Sequence, residues 1–123
     1  MVSKSQIKLL TSLQQKKYRN KLGLFIAEGP KVIKELLTSG VDLDSLFSTE
    51  KNFNPAKNEF LVSEKELQKI SFFKTANTSV ALFKIPPAKP LLKDCTTVVL
   101  DSIRDPGNLG TIIRLCDWFG INQ

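Results

Sequence analysis

Apolar positions Ile7, Leu10 and Leu13 recur every third residue near the start of the chain, and Leu9 widens the stripe. That spacing predicts an amphipathic helix, for which Ser3 or Ser5 can supply the cap, with its lysines turned to water or to an anion. Leu24-Phe25-Ile26-Ala27 predicts a short buried strand, and Glu28-Gly29-Pro30 turns it into a second helix. Pro30 suits the first helical position, where its missing N–H is no loss. Val32, Ile33, Leu36 and Leu37 form that helix's predicted buried face, and Gly40 its stop. Leu46-Phe47 predicts a second strand, a polar link through Asn52, Asn54 and Pro55 follows, and Phe60-Leu61-Val62 predicts a third. Ser63 with Glu66 three residues on is a capping box, so residues 64–70 read as a short helix with Leu67 and Ile70 inward. Val80 to Ile85 predicts another strand, and the alternation of strands and helices points to a small α/β sandwich.

The run Pro86-Pro87-Ala88-Lys89-Pro90 interrupts this pattern, because successive prolines remove backbone donors and hold the chain extended. It divides the chain into a first domain at 1–86, a linker at 87–93 and a second segment at 94–123. In that segment Thr96 to Leu100 reads as a strand of the kind buried in a parallel sheet, Asp101 to Asn108 as a polar loop, and Leu109 to Phe119 as a helix. One strand and one helix cannot bury Val98, Leu100, Ile112, Ile113, Leu115, Trp118 and Phe119 against each other, and Ile121 stands about where a next strand begins. The segment therefore reads as the opening of a larger domain.

Charge sharpens the picture. Eighteen Lys and Arg against twelve Asp and Glu give a formal charge of +6, which favours an anionic partner such as nucleic acid. Lys4, Lys8, Lys16, Lys17, Arg19, Lys21 and Lys31 fall within the first 31 residues, opposed there only by Glu28. RNA contact through Lys16, Lys17, Arg19 and Lys31 is one reading and a solvated helix face the other. Tyr18 beside them could stack on a base, although packing against its own domain is the stronger expectation. Glu28-Gly29 reads either as a loop near RNA or, the stronger expectation, as a helix entry with Glu28 pairing locally. Cys95 and Cys116 are isolated, with no paired spacing and no histidine in the chain, so no metal site is expected and a reduced, cytoplasmic setting fits. Neither an apolar signal region nor a stretch long enough to cross a membrane is present in this sequence.

The densest chemistry lies in Leu100-Asp101-Ser102-Ile103-Arg104-Asp105-Pro106-Gly107-Asn108-Leu109-Gly110-Thr111-Ile112-Ile113-Arg114. It reads as a strand end, a rigid turn and a helix start, where α/β proteins gather ligand-binding groups. N–H groups at such a start can receive an anion, and Gly107 and Gly110 permit close approach or positive φ. Arg114 could hold a phosphate bidentately, with Asn108 near the same place. An ordinary Pro-Gly turn, an Asn cap and a surface arginine would explain the same residues. The spacing is neither a P-loop nor a dinucleotide fingerprint.

Leu100 to Gly120 closely resembles the first motif of the SpoU/TrmH-type RNA 2′-O-ribose methyltransferases of the trefoil-knotted SPOUT class. The matching elements are Asp101, Asp105-Pro106-Gly107-Asn108-Leu109-Gly110, Arg114 and Cys116-Asp117-Trp118-Phe119-Gly120, with Cys116 standing in place of the usual alanine. The earlier part resembles the family's substrate-binding domain, a fold similar to small ribosomal RNA-binding proteins, through Lys17-Tyr18-Arg19, Phe25 to Lys31, and Thr75-Ala76-Asn77-Thr78 leading into Val80. The resemblance implies an RNA-binding α/β sandwich followed by the first β-loop-α unit of a knotted methyltransferase domain. It implies S-adenosylmethionine as cofactor, with most of its site outside this chain, and a structured RNA, rRNA leading over tRNA, as substrate. It also implies a homodimer at full length. Arg114 and Asn108 would be the catalytic pair at the target ribose, Arg104 an added phosphate contact, and Asp105, Pro106, Gly107 and Gly110 the loop that positions them. A non-catalytic RNA-binding module resembling a small ribosomal protein is the competing expectation.

Overall fold

The computed structural model describes residues 2–51, 53 and 58–123, so the predicted link through Asn52, Asn54 and Pro55 lies outside the described residues. The chain divides into two compact units, residues 1–87 and 88–123.

The first unit is built on one four-stranded sheet: β1 (Leu24–Glu28), β2 (Leu43–Ser48), β3 (Glu59–Leu61) and β4 (Ser79–Lys84) in the order β1-β4-β2-β3. β4 is antiparallel to both β1 and β2, pairing Ile26 with Leu82 on one side and Leu46 with Ala81 on the other, while β3 runs parallel to β2. Side chains alternate across β4. Val80 and Leu82 pack with Val2, Leu10, Leu13, Phe47, Leu67 and Ile70 beneath α1 (Lys4–Ser12) and α4 (Glu64–Gln68). Ala81 and Phe83 face the other way, with Leu46, Phe53 and Ile33 of α3 (Pro30–Thr38). The sheet is thus covered on both faces, and β4, buried at every residue but its last, is its core strand. Phe83 stacks on Phe25 with ring centroids 5.8 Å apart, and Phe47 on Phe60 at 5.2 Å.

Local chemistry sets the helix ends. Ser3 and Gln6 form a capping box on α1, and Ser63 and Glu66 form the predicted one on α4. α3 enters through Gly29 at φ 94° with Pro30 at its first position, and Gly40 follows it at φ 73°. Ile33 is fully buried and Leu36 and Leu37 are partly so, but Val32 is half exposed and does not belong to the predicted inner face. The basic residues after Leu13 do not continue α1. They form a separate helix, α2 (Lys16–Leu22), closed by Gly23 in the left-handed conformation.

The second unit holds α5 (Pro106–Trp118) and extended chain before it. Residues 96–100 form no strand, contrary to expectation, and Val99 and Leu100 are exposed. A strand gains its backbone bonds only from a neighbour, and here Val98 N–H meets only the Gln123 carbonyl, at 2.8 Å. The helix begins three residues earlier than predicted, because Asp105 caps it and Pro106 takes the first position.

Candidate functional site

That shift changes what the Asp-Pro-Gly-Asn-Leu-Gly motif does. Asp105 Oδ1 accepts the Asn108 N–H at 2.7 Å, so the motif is the first turn and a half of α5 rather than a loop. The carboxylate occupies the place that an incoming anion would take at the helix start, and the anion-receiving role expected of those N–H groups does not fit this geometry. Gly107 and Gly110 do not have positive φ. A Cβ on Gly107 would lie 3.0 Å from Asp105 Oδ1, so glycine lets the cap close. Arg114 folds back toward the helix start: its Nη2 donates to Thr111 Oγ1 at 3.3 Å, and Thr111 in turn donates to the Gly107 carbonyl at 3.0 Å. Its Nη1 lies over Gly110, 3.9 Å from where a Cβ would stand. The guanidinium is exposed, as are Asn108 and Arg104. Arg104 lies just after Ser102, which holds a left-handed φ of 56°.

In the first unit, the predicted basic residues divide by role. Lys16 and Lys17 are exposed on α2, and Lys17 Nζ sits 5.9 Å from the Tyr18 ring centre. Tyr18 is half-buried and borders a groove of about 580 Å³ between α1 and α2 that Lys8, Leu9, Ser12 and Gln15 also line. Arg19 is turned inward. Its Nη1 donates to the carbonyls of Leu13 at 2.9 Å and Gln14 at 2.7 Å, so it ties the end of α1 to α2. Lys31 is exposed on α3, which covers the opposite face of the sheet from α1, so it does not join the α2 lysines in one patch. Glu28 pairs at long range rather than locally. Its carboxylate accepts from Ser71 Oγ at 2.6 Å and from Phe72 N–H at 2.5 Å, pinning the chain that follows α4. The sequence reading had not singled out that segment. Its signal was present in two adjacent phenylalanines followed by Lys74, outside any predicted element.

Among the described residues, Cys, Asp and Glu are not gathered into a group that could hold a metal ion. The α5 flank bearing Ile112, Ile113 and Cys116 is open and largely apolar. It offers no cradle for a charged nucleoside such as S-adenosylmethionine.

Residues 4–81 match the family model for the MRM3-like substrate binding domain. The chain belongs to this family. It is part of the SpoU/TrmH group of SPOUT-class RNA 2′-O-ribose methyltransferases, as an amino-terminal substrate-binding portion. It is 32% identical to the mitochondrial rRNA methyltransferase 3 of Xenopus laevis over 94% of its own length and 32% of that protein's. It is 27% identical to the 23S rRNA (guanosine(2553)-2′-O)-methyltransferase RlmP of Bacillus subtilis, over 95% of its own length and 49% of that protein's. A Porphyromonas gingivalis protein assigned to the TrmH family of RNA methyltransferases superposes with a TM-score of 0.83 at 35% identity, over 98% of this chain and 50% of that one. The AdoMet-bound rRNA methyltransferase of Sinorhizobium meliloti superposes with a TM-score of 0.71 at 28% identity, over 95% and 49%. The chain therefore spans between a third and a half of these relatives. The expectation of a cytoplasmic protein is overturned, since the Xenopus relative is mitochondrial. Two free cysteines bear only on disulfide formation and do not distinguish cytosol from organelle.

Proposed function

We propose that this chain captures and positions RNA for 2′-O-ribose methylation, with the first unit as the RNA-binding domain and residues 88–123 as the start of a knotted methyltransferase domain. Lys16 and Lys17, beside the α1–α2 groove, contact the phosphate backbone, and Lys31 contacts it from the other layer. Such contacts set affinity and salt dependence rather than sequence choice. Arg19 supports the surface from within.

The observation that carries the catalytic half is the exposed Arg114 guanidinium, held over Gly110 and Thr111 next to a turn locked by Asp105. A cation fixed there can grip the phosphate of the target nucleotide and favour negative charge as it grows on the ribose 2′-oxygen, without itself giving up a proton. Asn108, four residues after Arg104, organises the same corner, and Arg104 adds a phosphate contact. Pro106 presets the first helical position, Gly107 lets the Asp105 cap close, and Gly110 leaves room for the guanidinium above it. S-adenosylmethionine is the methyl donor. Its site is built mainly by the part of the relatives that this chain does not span, and the same part would carry homodimer contacts. The substrate is rRNA, the RNA that the names of the Xenopus, Bacillus and Sinorhizobium relatives give. In the full-length enzyme, Arg114→Ala should abolish nearly all methyl transfer while leaving the melting temperature and S-adenosylmethionine affinity unchanged. Activity within a few-fold of wild type would remove Arg114 from the reaction.

A further inference from the structure

Beyond the lysine surfaces, the segment between α4 and β4 presents two aromatic rings to solvent. Phe72 is 37% and Phe73 55% exposed, in a domain whose other aromatic stacks sit against its sheet. Phe73 stands more than half in solvent and Phe72 about a third, and the backbone beneath them is fixed from three sides. Glu28 holds Ser71 and Phe72, Ser71 Oγ accepts the Phe73 N–H at 3.1 Å, and Gln68 grips both the Phe73 carbonyl and the Ala76 N–H. Two residues further on begins a small hollow of about 180 Å³ lined by Thr49, Glu64, Gln68, Thr75, Ala76, Asn77 and Thr78. Lys65, Lys69 and Lys74 lie in the same stretch as the rings; of the acidic groups there, Glu66 is turned to the α4 cap and Glu28 to the pin, and Glu64 is exposed at the start of α4.

We propose that Phe72 and Phe73 form a stacking platform for unpaired bases of the RNA substrate, with Lys69 and Lys74 meeting the adjoining phosphates and the hollow receiving a base edge. This rests on the RNA-binding reading above and adds to it the class of RNA recognised: a loop or bulge rather than a continuous duplex. A fixed aromatic surface loses little entropy on contact, and each stacked base contributes about 1–3 kcal/mol. A duplex keeps its bases inside and gains nothing from the platform.

The test uses the full chain, an RNA hairpin with a fluorescent adenine analogue in an unpaired loop, and a blunt duplex of the same stem. Wild type should bind the hairpin more tightly and change the analogue's fluorescence. The Phe72→Ala/Phe73→Ala double variant should lose roughly tenfold or more in hairpin affinity together with the fluorescence change. Duplex affinity and salt slope should stay at wild-type values, and Phe73→Trp should retain hairpin binding. Equal hairpin affinity in wild type and the double variant overturns the platform while leaving RNA binding intact. Wild-type binding of neither RNA overturns the RNA-binding reading and the platform with it. Unchanged RNA binding with lost self-association in sedimentation would mean that the rings face protein, and would also overturn the proposal.

Discussion

Arg19 offers the sharpest separation between a contact that binds RNA and one that builds the surface doing so. Its Nη1 bridges the Leu13 and Gln14 carbonyls, two acceptors that the end of α1 leaves without helical partners. Hydrogen bonds from a charged donor are worth about 1.5–3 kcal/mol, but only the Leu13 bond is partly shielded and the Gln14 bond is exposed, so the lower part of that range applies. Taking about 1.5–2 kcal/mol for Arg19→Ala, and roughly 2.1 cal/mol/K of unfolding entropy per residue across a unit of 87 residues, the melting temperature should fall by about 8–11 °C. Thermal melts followed by circular dichroism measure this directly. Lys16→Ala and Lys17→Ala, in solvent, should each stay within about 0.5 kcal/mol of wild type and instead weaken RNA binding and flatten its salt dependence. If Arg19→Ala melts with wild type and shifts the salt slope as the lysine variants do, the bridging role is refuted and Arg19 belongs on the RNA face.

Glu66 gives the first unit an acid-sensitive cap. The Ser63 N–H, the Ser63 hydroxyl and the Val2 N–H, donating at 3.0 Å each, hold its carboxyl below the ordinary glutamate range. Its contribution to stability is complete above that range and drains away as pH falls through the lowered folded value, so Glu66→Gln should flatten the acid limb of a stability–pH profile. An acid limb of unchanged slope would show that other carboxylates set it. At the methyltransferase turn, Asp105→Ala removes the α5 cap at a cost of about 0.5–2 kcal/mol and should lower full-length activity by loosening Arg114. Asp105→Asn, which caps equally well, should restore both melting temperature and turnover. Turnover lost equally in both variants would make the charge, not the cap, the property that matters.

What the sequence revealed follows how far apart the cooperating residues lie. The Ser63–Glu66 box, the Gly29-Pro30 entry and the Gly40 stop are chemistry within a few residues, and the structure carries all three. The start of α5 was open to the same logic, because Asp105-Pro106 is a cap followed by a first-position proline, but the two glycines behind it suggested a loop. The break between α1 and α2 falls at Gln14-Gln15, which carry no breaker signal, and only the Arg19 bridge and Gly23 mark it. Val32 departs from the expected inner face because a helix of nine residues, about two and a half turns, has room for few inward positions, and Ile33 is the fully buried one. For the candidate site, the motif drew attention to Asp105, Asn108, Gly110 and Arg114, while the contacts needed geometry: Arg19 to an inner bond, Asp105 to the cap of α5, Glu28 to a loop 43 residues away. Residues 96–100 show the limit from the other side, since a strand-like composition does not make a strand without a neighbour.

β4 is the last strand of its sheet to be synthesised and the one that both β1 and β2 pair with. A nascent chain that has emerged only as far as α4 lacks the strand that joins β1 to the β2–β3 pair, so ribosome-stalled or proteolytic products ending before residue 79 should be aggregation-prone and unable to hold RNA. Once residue 84 is free the sheet can zip on both sides of β4 at once, and the proline-rich stretch that follows spaces this event from the folding of whatever comes next.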